Sequence, residues 1–335
     1  MNIIAADVGG TKTHMVCADA NAPQHVLYQA RYKSGEFNGF DPLLETFMRE
    51  SGSAPDSVDT LALALPGLVG DGRATLTNLP WIIEKQHLID TFGIKHIEFM
   101  NDFQASACGT SQLKESDVIV LNRGIEQAAS AGNNSTRVAV GAGTGLGVAW
   151  AQGESGNSQA YDTEGGHIDF APTSDIQIDL LHYLMDRYDH VSYERILSGD
   201  GLVTLYEFML EKQGERYANA TAGKRVTAEW VSNNAHYVKA AGKAVSLFVE
   251  IYGAYVGSIA MLFKPRGGIY ITGGIAAKMV DAMCSDTFLD AYLYKGRMRT
   301  LVNEIKVNLV INEDIGVLGA LYEAAKHQQV VERHI

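Results

Sequence analysis

Cysteine is scarce, with only Cys17, Cys108 and Cys284 among 335 residues, far apart and without a CxxC spacing. That excludes a disulfide framework and a cysteine-rich zinc site, and it leads to the expectation of a reducing, cytoplasmic setting. Basic residues are also few, 27 Lys and Arg against 39 Asp and Glu, for a net charge of −12. No basic face compensates that balance, so no nucleic-acid partner is expected. The start, Met1-Asn2-Ile3-Ile4, lacks a basic segment and a small-residue cleavage site, so no signal peptide is expected. One long apolar run exists: from Ala244 to Phe263 the only charged residue is Glu250. A central Glu, with Ser246, Tyr252 and Tyr255, is costly in lipid, and a strand-like run follows at once. A buried core helix and no membrane partner are therefore expected.

The common nucleotide-binding motifs are missing too. No Gly-x-x-x-x-Gly-Lys-Ser/Thr run occurs, because Gly223-Lys224 and Gly242-Lys243 are followed by Arg225 and Ala244. The dinucleotide fingerprint fails at the central glycine cluster. What the chain does hold is three glycine-rich turns, each following or enclosing a β-branched run. They are Asp7-Val8-Gly9-Gly10-Thr11-Lys12-Thr13, then Gly141-Ala142-Gly143-Thr144-Gly145-Leu146-Gly147, then Gly267-Gly268 through Gly273-Gly274. Glycine removes the side chain that would hold a ligand away, and successive N–H groups in such turns make concave anion sites. One such turn is hairpin geometry; three together point to a polyphosphate gripped from several sides.

Strand patterns at Ile3–Ala6, His14–Ala18, Thr60–Ala64, His96–Met100, Val118–Leu121 and Val138–Val140 alternate with helical ones at Pro42–Glu50 and Ile315–Lys326. Mixed α/β sheets covered by helices follow from that alternation. Strand-turn-strand opens the chain and returns around the second glycine turn, after the polar stretch Asn122 to Thr136, which suggests a duplicated architecture. Ser174-Asp175-Ile176-Gln177 reads as a capping box opening a helix with Ile178, Leu181, Leu184 and Met185 on one face.

Several polar residues stand where chemistry is possible. Asn101-Asp102 lies just past a strand, where it is either a helix cap or a pair presented to a ligand. A carboxylate there can accept the proton of an attacking hydroxyl. Glu164 and His167 sit three apart across Gly165-Gly166, so one turn can aim both into one pocket, while Glu194 beside Arg195 reads equally as a surface ion pair. Asn78, in Thr77-Asn78-Leu79-Pro80, is a candidate for a pocket rim. A carboxylate at Asp7 beside phosphates is repulsive without a cation, so a water-mediated magnesium contact is its physical reading.

Asp7-Val8-Gly9-Gly10-Thr11, Asn101-Asp102-Phe103, Gly141 through Gly147, Glu164-Gly165-Gly166-His167, Glu194-Arg195-Ile196-Leu197-Ser198-Gly199 and Gly273-Gly274-Ile275 stand in the order of the bacterial glucokinase family, which the chain resembles from Asp7 to about Ala325. The resemblance implies a two-domain actin-like ATPase (ribonuclease H-like) fold of the actin/hexokinase/Hsp70 superfamily, with an interdomain cleft. A small domain is expected over 1–113 plus 314–335 and a large one over 114–313. The activity implied is ATP-dependent phosphorylation of glucose at its 6-hydroxyl, with Mg2+. The alternatives are a kinase for another hexose or N-acetyl amino sugar, or a non-catalytic sugar sensor.

The resemblance places Asp102 as general base and sugar contact, with Asn101, Glu164, His167 and Glu194 also on the sugar. It places Asp7, Gly9, Gly10, Thr11, Lys12, Gly141, Gly143, Thr144, Gly145, Gly273 and Gly274 about the phosphates. Lys12 and Asp200 depart from the family's usual residues. A homodimer is also implied, with the apolar stretch 244–263 as a possible contributor.

Overall fold

The computed structural model describes residues 1–70, 72–76, 78–125, 135–153, 158–215 and 225–332. Thr77, Gly223-Lys224 and residues 126–134 of the polar stretch lie outside these. Strands run β1 Asn2–Val8, β2 Lys12–Asp19, β3 Ala22–Lys33, β4 Val58–Leu65, β5 Gly67–Gly70, β6 Arg73–Leu76, β7 Ile82–Glu84, β8 His96–Asn101, β9 Val118–Asn122, β10 Arg137–Ala142, β11 Leu146–Gln152, β12 Gln159–Thr163, β13 Ile269–Thr272 and β14 Val307–Val310. Among the described residues, helices of eight residues or more are α1 Phe40–Ser51, α2 Lys85–Phe92, α3 Asp102–Gly109, α4 Asp175–Met185, α5 Gly199–Lys212, α6 Lys239–Phe263, α7 Asp286–Leu293 and α8 Ile315–Glu332.

Two compact units emerge. Residues 1–114, 149–162 and 312–335 form one, and 115–148 with 163–311 form the other. One sheet has the order β3-β2-β1-β4-β8, and the next β12-β11-β10-β13-β14-β9. Apart from the extra edge strand β9, the second repeats the first position by position. The duplicated architecture expected from the sequence is thus real at the level of strand order.

In the first unit β1 pairs antiparallel with β2 and parallel with β4, and β4 pairs parallel with β8. Every residue of β4 is buried, as a strand covered on both faces requires. Helix α1 buries Phe40, Leu43, Leu44, Phe47 and Met48, the one-face spacing of an amphipathic helix, against Ile4, Met15, Leu61 and Leu63. A small antiparallel sheet, β5-β6-β7, is inserted between β4 and β8, which strand patterning did not anticipate.

The apolar run of the second unit is α6, long and apolar enough to cross a membrane by length and composition, yet 72% buried over its most apolar window. The core-helix expectation holds. Three of its polar side chains bond to internal partners. Tyr252 Oη accepts from Ala142 N–H at 3.2 Å, and Tyr255 Oη donates to Gly165 O at 2.8 Å. Glu250 accepts from Gln177 Nε2 at 2.7 Å and Ser174 Oγ at 3.4 Å.

Those last two contacts correct the capping box. Ser174 is the N-cap of α4 but caps nothing with its side chain, because Glu250 takes its hydroxyl and the amide of Gln177. The buried face of α4 is correspondingly Gln177, Leu180, Tyr183 and Leu184, while Ile178 and Met185 are exposed. Burial of α6 also removes most of 244–263 from any surface a second copy could cover.

Candidate active site

The first glycine turn closes the β1–β2 hairpin. Gly9 N–H donates to Lys12 O at 2.9 Å, and a Cβ on Gly9 would stand 2.7 Å from that same oxygen. A Cβ on Gly10 would meet Asn78 Cβ at 2.8 Å, so Asn78 lies against the turn. Ser34, buried and unremarkable in the sequence, fixes the turn from behind. Its Oγ donates to Gly9 O at 2.7 Å, its N–H to Thr11 O at 3.1 Å, and its Oγ lies 3.0 Å from Thr13 Oγ1. Thr11 and Lys12 are exposed, and Lys12 forms no ion pair among the described residues.

Asp7 is next to last in the same β1, half-buried, with Gly316 near the start of α8 packed against it: a Cβ there would meet Asp7 Oδ2 at 2.4 Å. Burial pushes the Asp7 carboxyl up to about 7, helped by the negative charges of Asp102 and then Asp314. Asp314 is held on its other side by His14 Nδ1 at 3.1 Å and by Arg31. Carboxylates therefore accumulate beside the first glycine turn, and a divalent cation with its waters fits that excess of negative charge. Among the described residues no three His, Cys, Asp or Glu side chains converge to cage a metal by themselves.

Asn101 and Asp102 straddle the junction of β8 and α3. Asn101 is the N-cap: its Oδ1 accepts from Phe103 N–H at 2.9 Å and Gln104 N–H at 3.4 Å, and Gln104 Oε1 accepts from Asn101 N–H at 3.3 Å. The structure thus realises the helix-cap alternative for Asn101, a role that leaves its Nδ2 available. Asp102 is the first helical residue, half-buried. Burial raises its carboxyl above the ordinary range, and the N–H of Phe103, donating at 2.9 Å to Oδ1, opposes the rise.

In the second unit the central turn joins β10 to β11. Gly143 N–H donates to Gly145 O at 2.8 Å and Gly199 N–H to Gly143 O at 2.9 Å. The glycines divide into two kinds. A Cβ on Gly141 would strike Thr272 Oγ1 at 2.5 Å, on Gly145 Glu194 Oε2 at 2.4 Å, and on Gly273, with φ +89°, Ala142 O at 2.5 Å. Those three are glycine because protein packs on them. Gly143 and Gly274 have nothing within 4 Å on the Cβ side and no left-handed φ. Open space there is what a ligand cradle requires.

Glu164, His167 and Glu194 do converge. His167 Nε2 lies 3.7 Å from Glu164 Oε2 and 3.8 Å from Glu194 Oε1, with Glu164 the most exposed of the three. Two short 3-10 turns, Gly165–His167 and Tyr193–Arg195, aim these side chains at one another. Asp200 occupies the first turn of α5, behind the N-cap Ser198, where a negative charge suits the helix dipole. A cavity of about 460 Å³ opens beyond the third turn, lined among others by Ser232, His236, Ser246, Lys278, Met279 and Ser285. No motif flagged it, since its walls come from separate helices.

A duplicated strand order, a glycine turn between the antiparallel strands of each half and carboxylates near the ends of β1 and β8 define the actin-like ATPase fold. The glucokinase family model matches residues 4–327, and the chain belongs to the glucokinase family. It is 33% identical to the glucokinase of Nostoc sp., covering 97% of this chain and 99% of that one. The glucokinase of Synechocystis sp. is likewise 33% identical, with 97% and 98% covered. The crystal structure of a glucokinase from an Antarctic psychrotroph superposes with a TM-score of 0.82 at 27% identity, covering 96% of this chain and 98% of that one.

Proposed function

We propose that this chain is a cytoplasmic, homodimeric glucokinase that transfers the γ-phosphoryl group of ATP to the 6-hydroxyl of glucose. The observation that carries this reading is Asp102, a carboxylate at the head of α3 whose burial raises its proton affinity, in the same unit as the first glycine turn. The hydroxyl proton passes to Asp102 as the sugar oxygen bonds to the γ-phosphorus. The bond from that phosphorus to the β–γ bridging oxygen breaks, and ADP leaves with the electron pair.

Glu164, His167 and Glu194 supply acceptors and an imidazole for the remaining sugar hydroxyls, which carboxylates bind well because each offers two acceptor oxygens. Asn101 adds its free amide to that set. The turns at Gly9–Thr11, Gly143–Gly145 and Gly273–Gly274 take the phosphates on main-chain N–H groups other than those of Gly9 and Gly143, which already donate within their own turns. What supports this role is the open space on Gly143 and Gly274. The cavity of about 460 Å³ has the size and mixed lining for a nucleoside. Magnesium, held through water by Asp7 and by the nucleotide's own phosphates, would offset charge as the phosphoryl group moves.

The test is a coupled ADP-release assay over a donor and acceptor panel. Glucose with ATP is expected to give the highest kcat/KM. Equal rates with N-acetylglucosamine or N-acetylmannosamine, or a preference for ADP or polyphosphate as donor, would overturn the assignment. Light scattering at micromolar concentration tests the dimer, with a monomeric mass counting against it.

A further inference from the structure

Glu194 is gripped at two points that belong to different jobs. Its Oε2 accepts from Leu146 N–H at 2.9 Å, and Leu146 is the residue immediately after the second glycine turn. Gly145 leaves the room for this contact, since a Cβ there would sit 2.4 Å from the same oxygen. Its other oxygen, Oε1, faces His167 at 3.8 Å.

The backbone around Glu194 repeats the pattern. Gly199 N–H holds Gly143 O at 2.9 Å, while Tyr193 N–H donates to Ile168 O at 3.1 Å. Tyr193 also packs on Tyr255 with ring centroids 4.5 Å apart, and Tyr255 holds Gly165 O. The two turns themselves are in contact, because a Cβ on Gly166 would lie 1.9 Å from Leu146 O. One short segment, 193–199, therefore braces the Glu164–His167 turn on one side and the Gly143–Gly145 turn on the other.

We propose that Glu194 is a positioning residue for the phosphate turn as well as a sugar ligand, and that it couples the two. A hexose hydroxyl donating to Oε1 restricts the carboxylate to the rotamer that keeps Oε2 on Leu146 N–H. The glycine turn is then held in one geometry before the nucleotide arrives, so less ordering is left for nucleotide binding to impose. Glucose thus tightens nucleotide binding, and by reciprocity nucleotide tightens glucose binding by the same factor. This rests on the glucose-and-ATP reading of the site above.

The experiment is calorimetric titration with glucose and with magnesium AMPPNP, each alone and in the presence of the other at saturation. For the wild-type chain each ligand is expected to lower the Kd of the other about tenfold. In Glu194→Asp, one methylene too short to reach both partners, the factor is expected to fall below about twofold. Glu164→Gln should weaken glucose but keep the tenfold factor, since Glu164 does not touch the phosphate turn. Gly145→Ala, which drives the carboxylate off Leu146, should abolish coupling if the Asp variant does not fold. Independent binding in the wild type, or a tenfold factor persisting in Glu194→Asp, would overturn the coupling while leaving the activity reading intact. A wild-type chain that binds neither ligand would remove the activity reading, and the coupling with it.

Discussion

The two halves of this molecule share a strand order and differ in what they set around their glycine turns. Around the first turn the protein fills its own space: Gly9 packs on Lys12 O, Gly10 on Asn78, and Ser34 bonds from behind. Carboxylates gather there, Asp7, Asp102 and Asp314, and burial first, then the charges of Asp102 and Asp314, raise the proton affinity of Asp7. Around the second and third turns Gly143 and Gly274 stand open, and the carboxylate of Glu194 is bound to main chain. One topology carries a group of carboxylates beside its first turn in one half and a main-chain-bonded glutamate beside its second turn in the other.

The largest effect should come from removing the proton acceptor. Asp102→Asn is expected to lower kcat about 10²–10⁴-fold with glucose Kd changed less than about threefold, read by coupled kinetics and calorimetry. Because burial raises the Asp102 carboxyl from its ordinary value, the acid limb of wild-type kcat/KM should be shifted upward in pH, with activity falling as pH drops through it. Near-normal turnover in this variant would give the proton to another group.

Next is the contrast between two glycines two residues apart. Gly143→Ala meets no protein atom, so stability should hold within about 0.5 kcal/mol while nucleotide KM rises about tenfold. Gly141→Ala strikes Thr272 and should destabilise by about 1–3 kcal/mol in denaturant unfolding. If Gly143→Ala leaves nucleotide KM unchanged, the open face holds no ligand. Ala282→Trp, on the wall of the second unit's cavity, should raise nucleotide KM about fivefold and leave glucose KM alone. Ser34→Ala loosens the first turn from behind and should lower kcat/KM for ATP about threefold, with the hydrogen bonds to Gly9 and Thr13 lost.

The smallest effect is thermal. Asp7 binds its proton more tightly folded, to about 7, than unfolded, at the ordinary 3.8. Between those values the native state holds a proton that the unfolded chain gives up, so stability falls as pH rises across that window. Asp7→Asn escapes this loss. In magnesium-free buffer it should melt about 2–4 °C above wild type at pH 8, the difference closing toward pH 4, although its turnover is reduced. An equal or lower melting temperature at pH 8 would show that the Asp7 charge is already compensated.

Much of the site was legible because turns and strand ends are local. Gly9-Gly10, Gly143 and Asn101-Asp102 could be placed at strand ends from β-branched runs and glycine alone, since each depends on a few consecutive residues. Ser34 could not: a serine after β3 has no signature, and its role arises only when β3 returns beside the hairpin. Asp314 and Gly316 were equally silent, because they reach Asp7 across more than 300 residues of chain. The α4 face was misread for a related reason. Periodicity favoured Ile178 and Met185, but Gln177 turned inward to satisfy the buried Glu250 on α6.

Sequence by itself determined the turns, the alternation of strand and helix and the two-fold architecture, because backbone freedom at glycine and side-chain periodicity are encoded within a few neighbouring residues. Tertiary structure decided which glycines face protein and which face open space, where Asp7 finds its neighbouring charges, and that Glu194 bonds to the main chain just after the second glycine turn. Those properties depend on atoms distant in the chain arriving within a few ångströms, and no short stretch of residues contains that information.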